Sequence, residues 1–321
     1  MLDSISKIAH IRLVTGTALP TVHLRMNIDT ILAYTILIGK SLKNLGPTLL
    51  DNVALHMSFL KSKRDLVVDF RAPFCLELAW LGHTSFASVA RAFERALQKV
   101  KLVFAANERM GLMCKELGAN SVQVFPNYPS RNFKPAIEPE NWKDQHGLDL
   151  EARVALFTGG VRLREIYGLD LLLEGWRLVE NLEPSAVLVI LGDDSIPYVK
   201  RRIRSLDIRR CLLPGRVAFS DVANWINCAD VCLAPRTPGF PRSLYDDKDS
   251  TKISEYAALE KPIVAAGYAP SSQYLLVAQN PEDFAEGIMQ GFDGKISIPK
   301  PHYWEENEEL MLRLLEDFWF R

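Results

Sequence analysis

Cysteine is scarce in this chain, at 5 residues of 321, and the spacing pairs none of them convincingly. Cys75, Cys114, Cys211, Cys228 and Cys232 sit mostly inside apolar runs, and only Cys228 and Cys232 lie close together. A structural zinc site needs paired C-x2-C or C-H spacings, so no metal site is expected, and the cysteines read as free thiols in a reducing compartment. A charge excess is missing as well. The 38 basic residues face 39 acidic ones, for a net charge of -1. Non-specific nucleic-acid binding needs a basic excess to neutralise phosphates, so no nucleic-acid partner is expected. Long apolar runs are absent. The longest, Ile31 to Ile38, falls far short of the roughly 20 residues that cross a bilayer. Residues 1–10 mix Asp3, Lys7 and His10 with isolated apolar residues and do not read as a signal peptide. The expectation is a cytoplasmic protein with no transmembrane segment, at most peripheral to a membrane. No strand-like run is followed by G-x-G-x-x-G, which disfavours a dinucleotide-dependent oxidoreductase.

What the chain does contain is an ordinary globular composition, 48% hydrophobic and 24% charged, which excludes wholesale disorder or coiled coil. At roughly 150 residues per domain its length suggests two domains. In the second half, short apolar runs alternate with segments at helical spacing. The runs cover 154–159, 186–192, 211–217, 230–235 and 261–267. Leu169, Leu172, Leu173, Trp176 and Val179 mark one helix face, and further helices fit 195–206, 220–229, 250–260 and 281–291. Strands apolar nearly throughout, joined by helices, predict a parallel sheet covered on both faces, a doubly wound α/β domain. The first half has the same style with weaker punctuation. Strands fit 65–70, 101–106 and 121–126, and helices fit 85–99 and 108–117. Residues 1–60 are ambiguous and show no convincing first strand with a glycine-rich turn. Residues 128–150, rich in Pro, Asn and charge and without periodicity, read as an interdomain linker. After Ile298, Met311, Leu314, Leu315 and Phe318 fall at helical spacing, an amphipathic helix that must dock its apolar face.

Ligands of open α/β sheets bind beyond the carboxyl ends of the strands, so the loops after the runs are the places to search. One reads Thr158-Gly159-Gly160-Val161-Arg162-Leu163-Arg164, where glycines let the backbone approach a phosphate and arginines pair with its oxygens. Another reads Gly192-Asp193-Asp194-Ser195. Any strand-to-helix turn favours Gly, Asp and Ser, so each is also explained by turn chemistry alone. The richest segment is 246–265, DDKDSTKISEYAALEKPIVA. Its polar opening places the free N–H groups of a helix start at the crevice, where they attract anions. Glu255 lies one turn further in, where a carboxylate accepts hydrogen bonds from the two hydroxyls of a ribose. Asp247-Lys248-Asp249 spells D-x-D, a pattern that can hold a divalent cation, but its place just before a helix is better explained by a charged helix start. His83 is a lone histidine near a helix start and reads as structural.

The run S-T-K-x-x-E-Y-A-A-x-x-K-P-I-V-A at 250–265 resembles the donor-site signature of GT-B glycosyltransferases, specifically the GT4-like family of glycosyl transferases group 1. The segments F-T-G-G, G-L-D-L-L-L-E-G-W, V-I-L-G-D and A-D-V-C-L-A-P precede it in the family's order, and V-F-P-N-Y-P-S-R-N-F-K-P resembles the family's Pro-Asn linker. The resemblance covers roughly residues 65–294. It implies a GT-B fold, two Rossmann-like doubly wound domains facing across a cleft, the N-terminal one short or atypical. The domains would be an acceptor side at 1–140, a donor side at 151–300, and a C-terminal helix at 301–321 packing back toward the first. The implied activity is retaining, metal-independent transfer of a sugar from a nucleotide-diphosphate-sugar donor to an acceptor hydroxyl on a glycan, lipid or small molecule, with no cofactor.

By position, Glu255 would hold the donor ribose, with Ser250, Thr251 and Lys252 at the diphosphate. Gly159, Gly160, Arg164, Gly192 and Val217 would complete the donor site. Asp247, Arg162 and Lys252 would serve catalysis, and Asp69 and Arg71 are acceptor-side candidates. Two positions depart from the family pattern. Asp247 stands where the family has the first glutamate of E-x7-E, and Tyr167 stands where it commonly has a basic residue, a charge that Arg162 or Arg164 would replace. The alternatives are a non-catalytic nucleotide-sugar-binding partner protein and a GT-B nucleotide-sugar epimerase.

Overall fold

The computed structural model describes residues 48–51, 66–71, 97, 98, 100, 102–159, 166–192, 197–240 and 244–319. The segment Ile31 to Ile38, His83, Cys75, nearly all of the helix expected at 85–99, and Gly160, Arg162 and Arg164 lie outside them. Chain contacts divide the protein into two units, one of residues 1–126 with 304–321 and one of residues 127–303.

In the first unit, β1 (Thr48–Asp51), β2 (Leu66–Phe70), β3 (Leu102–Ala105) and β4 (Val122–Val124) form a parallel sheet in that order. Between β3 and β4 runs α1 (Glu108–Glu116), started by Asn107, whose side chain accepts the N–H of Met110 at 2.8 Å. The apolar residues of β2 and β3 meet the last helix of the chain. Val67, Leu102, Phe104 and Phe125 pack with Met311 and Leu315, two fully buried residues one helical turn apart. Phe104 and Phe125 meet edge to face with centroids 4.8 Å apart.

The second unit has a six-stranded sheet. Its strands are β5 (Val154–Thr158), β6 (Val187–Leu191), β7 (Cys211–Gly215), β8 (Val231–Pro235), β9 (Ile263–Ala266) and β10 (Leu275–Val277). They run parallel in the order β10-β9-β8-β5-β6-β7, so the chain reverses direction across the sheet between β5 and β8. Strands β5, β8 and β9 are buried along their whole length, which is why the sequence shows them as unbroken apolar runs. The covering helices are α3 (Leu169–Leu182), α4 (Pro197–Ser205), α5 (Phe219–Asn227), α6 (Thr251–Ala258) and α7 (Pro281–Phe292). On α3 the stripe read from the sequence, Leu169, Leu172, Leu173, Trp176 and Val179, is buried in the main core. Helix α7 begins with Asn280 accepting the Asp283 N–H at 2.8 Å and Pro281 in its first turn.

Three elements were not expected. The short strands β1 and β10 are only four and three residues long. The segment read as a linker carries α2 (Pro139–Gln145). It is anchored rather than free. Trp142 is buried edge-on against Trp225 of α5 at 5.6 Å, and the Asn224 side-chain oxygen accepts the N–H groups of Ala136 and Ile137 at 2.8 and 3.1 Å. Those bonds are long-range, so no local periodicity announces them. Helix α8 (Glu308–Trp319), after a short 3-10 turn at Trp304–Glu306, belongs to the first unit.

Candidate functional site

In an open parallel sheet the crevice for a ligand lies where the strand order reverses, here at the carboxyl ends of β5 and β8. The turns along that edge are tied together. The Gly159 N–H after β5 donates to the Leu191 carbonyl at 3.1 Å, and the Gly192 N–H after β6 donates to the Gly215 carbonyl at 3.1 Å. Half-buried Val217 follows β7 on the same edge.

Helix α6 is pinned to this edge by Tyr256. Its buried hydroxyl accepts the Thr158 N–H at 2.8 Å and lies 3.0 Å from the Thr158 hydroxyl. That contact joins α6 to the last residue of β5 and so fixes the helix start beside Gly159. The α6 start is built by the preceding loop. The Asp249 side chain accepts the Asp246 N–H at 2.5 Å, and Ser254 Oγ donates to the Asp247 carbonyl at 3.0 Å. Asn127 clamps the same loop, donating from its backbone to Lys248 O at 2.6 Å and from its side chain to Asp249 O at 2.7 Å. Ser250 stands at the N-cap but makes no side-chain capping bond, and its hydroxyl lies 3.4 Å from that of Tyr268. The N-cap side chain thus does not close the start of α6, and a helix start of that kind can attract an anion. Thr251, next in line, is exposed.

Lys252 is the central side chain. Its side-chain nitrogen is buried and makes no hydrogen bond to the described residues. It lies 4.1 Å from the ring centre of Phe157 and 4.3 Å from that of Tyr167, favourable cation–π distances. A Cβ at position 159 would sit 2.8 Å from this nitrogen, so glycine there leaves the space that the amine occupies. Burial, and next the charge of Arg236, push the Lys252 pKa well below its ordinary value, with Glu255 partly opposing. Glu255 is half-buried and makes no hydrogen bond to the described residues. Burial raises its pKa to about 7, against the opposing pull of Lys252. The site thus holds a buried amine and a half-buried carboxyl group on one flank of α6.

The other candidates are placed differently. Asp247 lines a small groove with Tyr128, Ile253, Ser254, Ala257 and Lys300 among others. Ile253, Ser254 and Ala257 form the flank of α6 opposite to Lys252 and Glu255 by helical geometry. Asp249, the other carboxylate of D-x-D, is occupied by the Asp246 N–H and faces the Arg236 guanidinium at 3.9 Å. Among the described residues no group of three His, Cys, Asp or Glu is arranged to hold a metal ion. In the first unit, Asp69 and Arg71 pair with each other at 2.5 Å, and Arg71 also donates to the Phe125 carbonyl at 2.6 Å.

Three residues of the donor-side edge escaped the sequence reading. Arg236, directly after β8, is buried, with its guanidinium carbon 3.7 Å from the Tyr245 ring centre and 4.6 Å from that of Tyr268. A lone arginine closing a buried apolar strand was the available signal. Tyr256 sits inside the quoted signature, and Asn127 inside the Pro-Asn segment, but their roles depend on contacts 98 and 122 residues away.

Residues 152–293 match the family described as Glycosyl transferases group 1. No curated protein matches the chain by sequence. Among solved structures, sucrose-phosphate synthase from Thermosynechococcus elongatus is similar with a TM-score of 0.67 at 11% identity, covering 90% of this chain and 78% of its own. HepE of Anabaena in complex with UDP-glucose is similar with a TM-score of 0.63 at 16% identity, covering 89% and 78%. A glycosyltransferase from Rickettsia africae ESF-5 has a TM-score of 0.56 at 14% identity, covering 94% and 80%. The fold that these structures share with this chain is GT-B. The resemblance read from the signature therefore holds: the chain has the GT-B fold, and nearly all of its second unit after α2 matches glycosyl transferases group 1. Among the described residues no helix is long and apolar enough to cross a membrane.

Proposed function

We propose that this protein transfers a sugar, with retention of anomeric configuration, from a nucleotide-diphosphate-sugar to an acceptor hydroxyl on a glycan, lipid or small molecule. The observation that carries this reading is the buried Lys252 amine, without a hydrogen bond to the described residues, beneath the Gly159 turn, in the first turn of α6 and beside Glu255. A cation and free helix N–H groups suit a diphosphate, and a carboxylate one turn along suits the two hydroxyls of a ribose. HepE, a structural neighbour, binds UDP-glucose, which supports a donor of that chemistry.

In this mechanism Glu255 fixes the nucleoside, and Lys252 with the α6 start holds the diphosphate. As the bond to the sugar breaks, negative charge grows on the leaving phosphate, and a cation already in place stabilises it more than it stabilises the ground state. Arg162 and Arg164 are assigned to the same phosphates from their place in the loop. No metal or cofactor is required, because a buried cation is available for the leaving charge and Asp249 is committed to Arg236 and the Asp246 N–H. Asp247, in the groove on the opposite flank of α6, takes no part in this reading. The first unit is assigned to the acceptor, with Asp69 and Arg71 paired at the end of β2. The four described cysteines are free thiols, consistent with work in the cytoplasm.

The test is binding and turnover with UDP-, GDP- and ADP-sugars. Binding of one of them, weakened at least about tenfold by Glu255→Ala, is expected, since a charged hydrogen bond contributes about 1.5–3 kcal/mol. Turnover in a panel of acceptors should release the nucleoside diphosphate and keep the anomeric configuration by NMR. Unchanged affinity in Glu255→Ala, or no response to any nucleotide-sugar, would refute the proposal. Epimerised donor without acceptor would replace transfer by epimerisation.

A further inference from the structure

The near-zero total charge conceals an uneven distribution. Residues 197–216, which span α4 and β7, carry seven basic side chains and one acidic, a net charge of +6 in a chain whose total is -1. Everything outside them is therefore acidic on balance. Lys200, Arg201, Arg204, Arg209, Arg210 and Arg216 are exposed, and the seventh, Arg202, is half-buried. Strand β7 is the outermost on its side of the sheet, and α4 is the helix that leads into it. Together they make one free edge of the second unit.

The acids around this edge are already engaged. Asp170 and Glu174 of α3 both pair with Arg202, at 2.9 and 2.5 Å. Asp207 pairs with Arg209 at 3.0 Å. Glu180 of α3 accepts the backbone N–H groups of Arg209 and Arg210 at 2.9 and 2.5 Å, which ties that corner to α3. Arg202 also shows which way α4 faces. Its contacts set one flank of α4 against α3, while Val199 and Ile203 lie on the core side. At about 100° per residue, Lys200 and Arg204 then fall on the flank away from α3, toward the free edge, and Arg201 faces outward. Protection of an edge strand against pairing with another sheet explains a charge or two. It does not explain so many, and Pro214 already leaves β7 short of one N–H.

Apolar side chains complete the pattern. Phe219 and Leu182, 71% and 68% exposed, are the most exposed large apolar residues among those described. Leu182 ends α3 two residues after Glu180, at the corner of Arg209 and Arg210. Phe219 opens α5 three residues after Arg216. One therefore stands at each end of β7, with roughly 20 Å of strand between them.

We infer that the free edge formed by α4 and β7 is a docking face for an anionic lipid surface. Its basic side chains meet the headgroup phosphates, and Leu182 and Phe219 enter the boundary with the acyl chains. A fluid layer of headgroups meets charges spread over a helix and a strand without any matched register. It also takes up apolar side chains at both ends, which a soluble polyanion does not. The inference stands apart from the donor reading, since none of the contacts used involves Lys252, Glu255 or the start of α6.

The whole protein is mixed with vesicles of phosphatidylcholine alone, and with vesicles in which about a third of the lipid is phosphatidylglycerol, and flotation reads the bound fraction. Binding to the anionic vesicles only is expected, falling steeply as salt rises from about 0.05 to 0.5 M. The triple variant Lys200→Gln, Arg204→Gln, Arg210→Gln should bind about 100-fold more weakly and melt with the wild type, each basic residue near such a surface contributing about fivefold. If the triple variant melts lower, the single variants Lys200→Gln and Arg210→Gln, each expected to lose about fivefold, carry the test. The double variant Leu182→Gln, Phe219→Gln should also bind more weakly, with the same dependence on salt. Equal binding to both kinds of vesicle, or to neither, would overturn the inference. So would a wild-type affinity in the folded charge variants or in the apolar variant. Binding to a DNA duplex or to polyglutamate without binding to anionic vesicles would overturn it in favour of a soluble polyanion.

Discussion

Replacing Tyr256 by phenylalanine removes one oxygen atom from the junction between α6 and β5. That oxygen accepts the Thr158 N–H at 2.8 Å and contacts the Thr158 hydroxyl at 3.0 Å, with the Leu233 carbonyl 3.5 Å away. The side chain is fully buried and Thr158 is nearly so, so no water replaces the lost acceptor. A buried N–H left unpaired costs about 1–3 kcal/mol, and the phenylalanine ring fills the same space, so cavity formation adds little. The expected destabilisation is about 2 kcal/mol, a fall in melting temperature of about 4–8 °C for a unit of this size. Thermal unfolding followed by tryptophan fluorescence measures it, since Trp142, Trp176 and Trp225 are all buried in the second unit. Tyr268→Phe is the internal control. Its hydroxyl is 3.4 Å from Ser250 Oγ, a long contact, and its removal should cost less than about 1 kcal/mol. The substitution also frees the strand end that carries Gly159, so affinity for a nucleotide-sugar should fall with stability. A Tyr256→Phe protein that melts within a degree or so of the wild type would refute the claim that this hydroxyl pins α6 to β5.

In the ligand-free protein the Glu255 carboxyl has a raised pKa of about 7 against an ordinary 4.5, so its stabilising influence is complete in acid and disappears as pH rises through 7. Glu255→Gln should therefore match the wild type near about pH 4 but melt higher near about pH 8; a stability difference independent of pH would contradict this assignment. Gly168→Ala should destabilise the second unit by at least about 2 kcal/mol in denaturant titration. Its φ is +31° and a Cβ would lie 2.7 Å from the Arg236 backbone, so a smaller loss would mean that the α3 start can shift. Met311→Ala should cost about 2–5 kcal/mol, because Met311 is fully buried against β2 and β3 of the first unit. Unfolding that leaves the first-unit transition unmoved would show that α8 does not belong to that core.

Much of the second unit was legible because its signals are local. β5, β6, β8 and β9 stand out as apolar runs, and α3 as a stripe with the period of a helix, since burial on both faces of a sheet or one face of a helix dictates residue type at short range. β10 was not legible, because three half-exposed edge residues carry no such pattern. Helix α2 was hidden for a different reason. Its segment is polar with a single buried tryptophan, and what holds it is Asn224 and Trp225 some 80 residues later. Along the edge where the strand order reverses, Glu255 and Gly159 were named from their residue types and places, and Lys252 from the resemblance. The aromatic seat of Lys252, the Asn127 clamp on the α6 loop and buried Arg236 were not, because each joins residues from different strands and loops.

The sequence by itself determined the fold class, the run of alternating strands and helices, and the segment that carries the candidate site. All three are written in patterns a few residues long, where side-chain polarity answers to burial and to the helix or strand period. Only the tertiary structure decided how those residues act on one another. It set Lys252 over two rings, turned Asp247 to the opposite flank of α6, and joined Asp69 to Arg71. Charge and protonation depend on neighbours in space and on the exclusion of water, and neither is ordered along the chain.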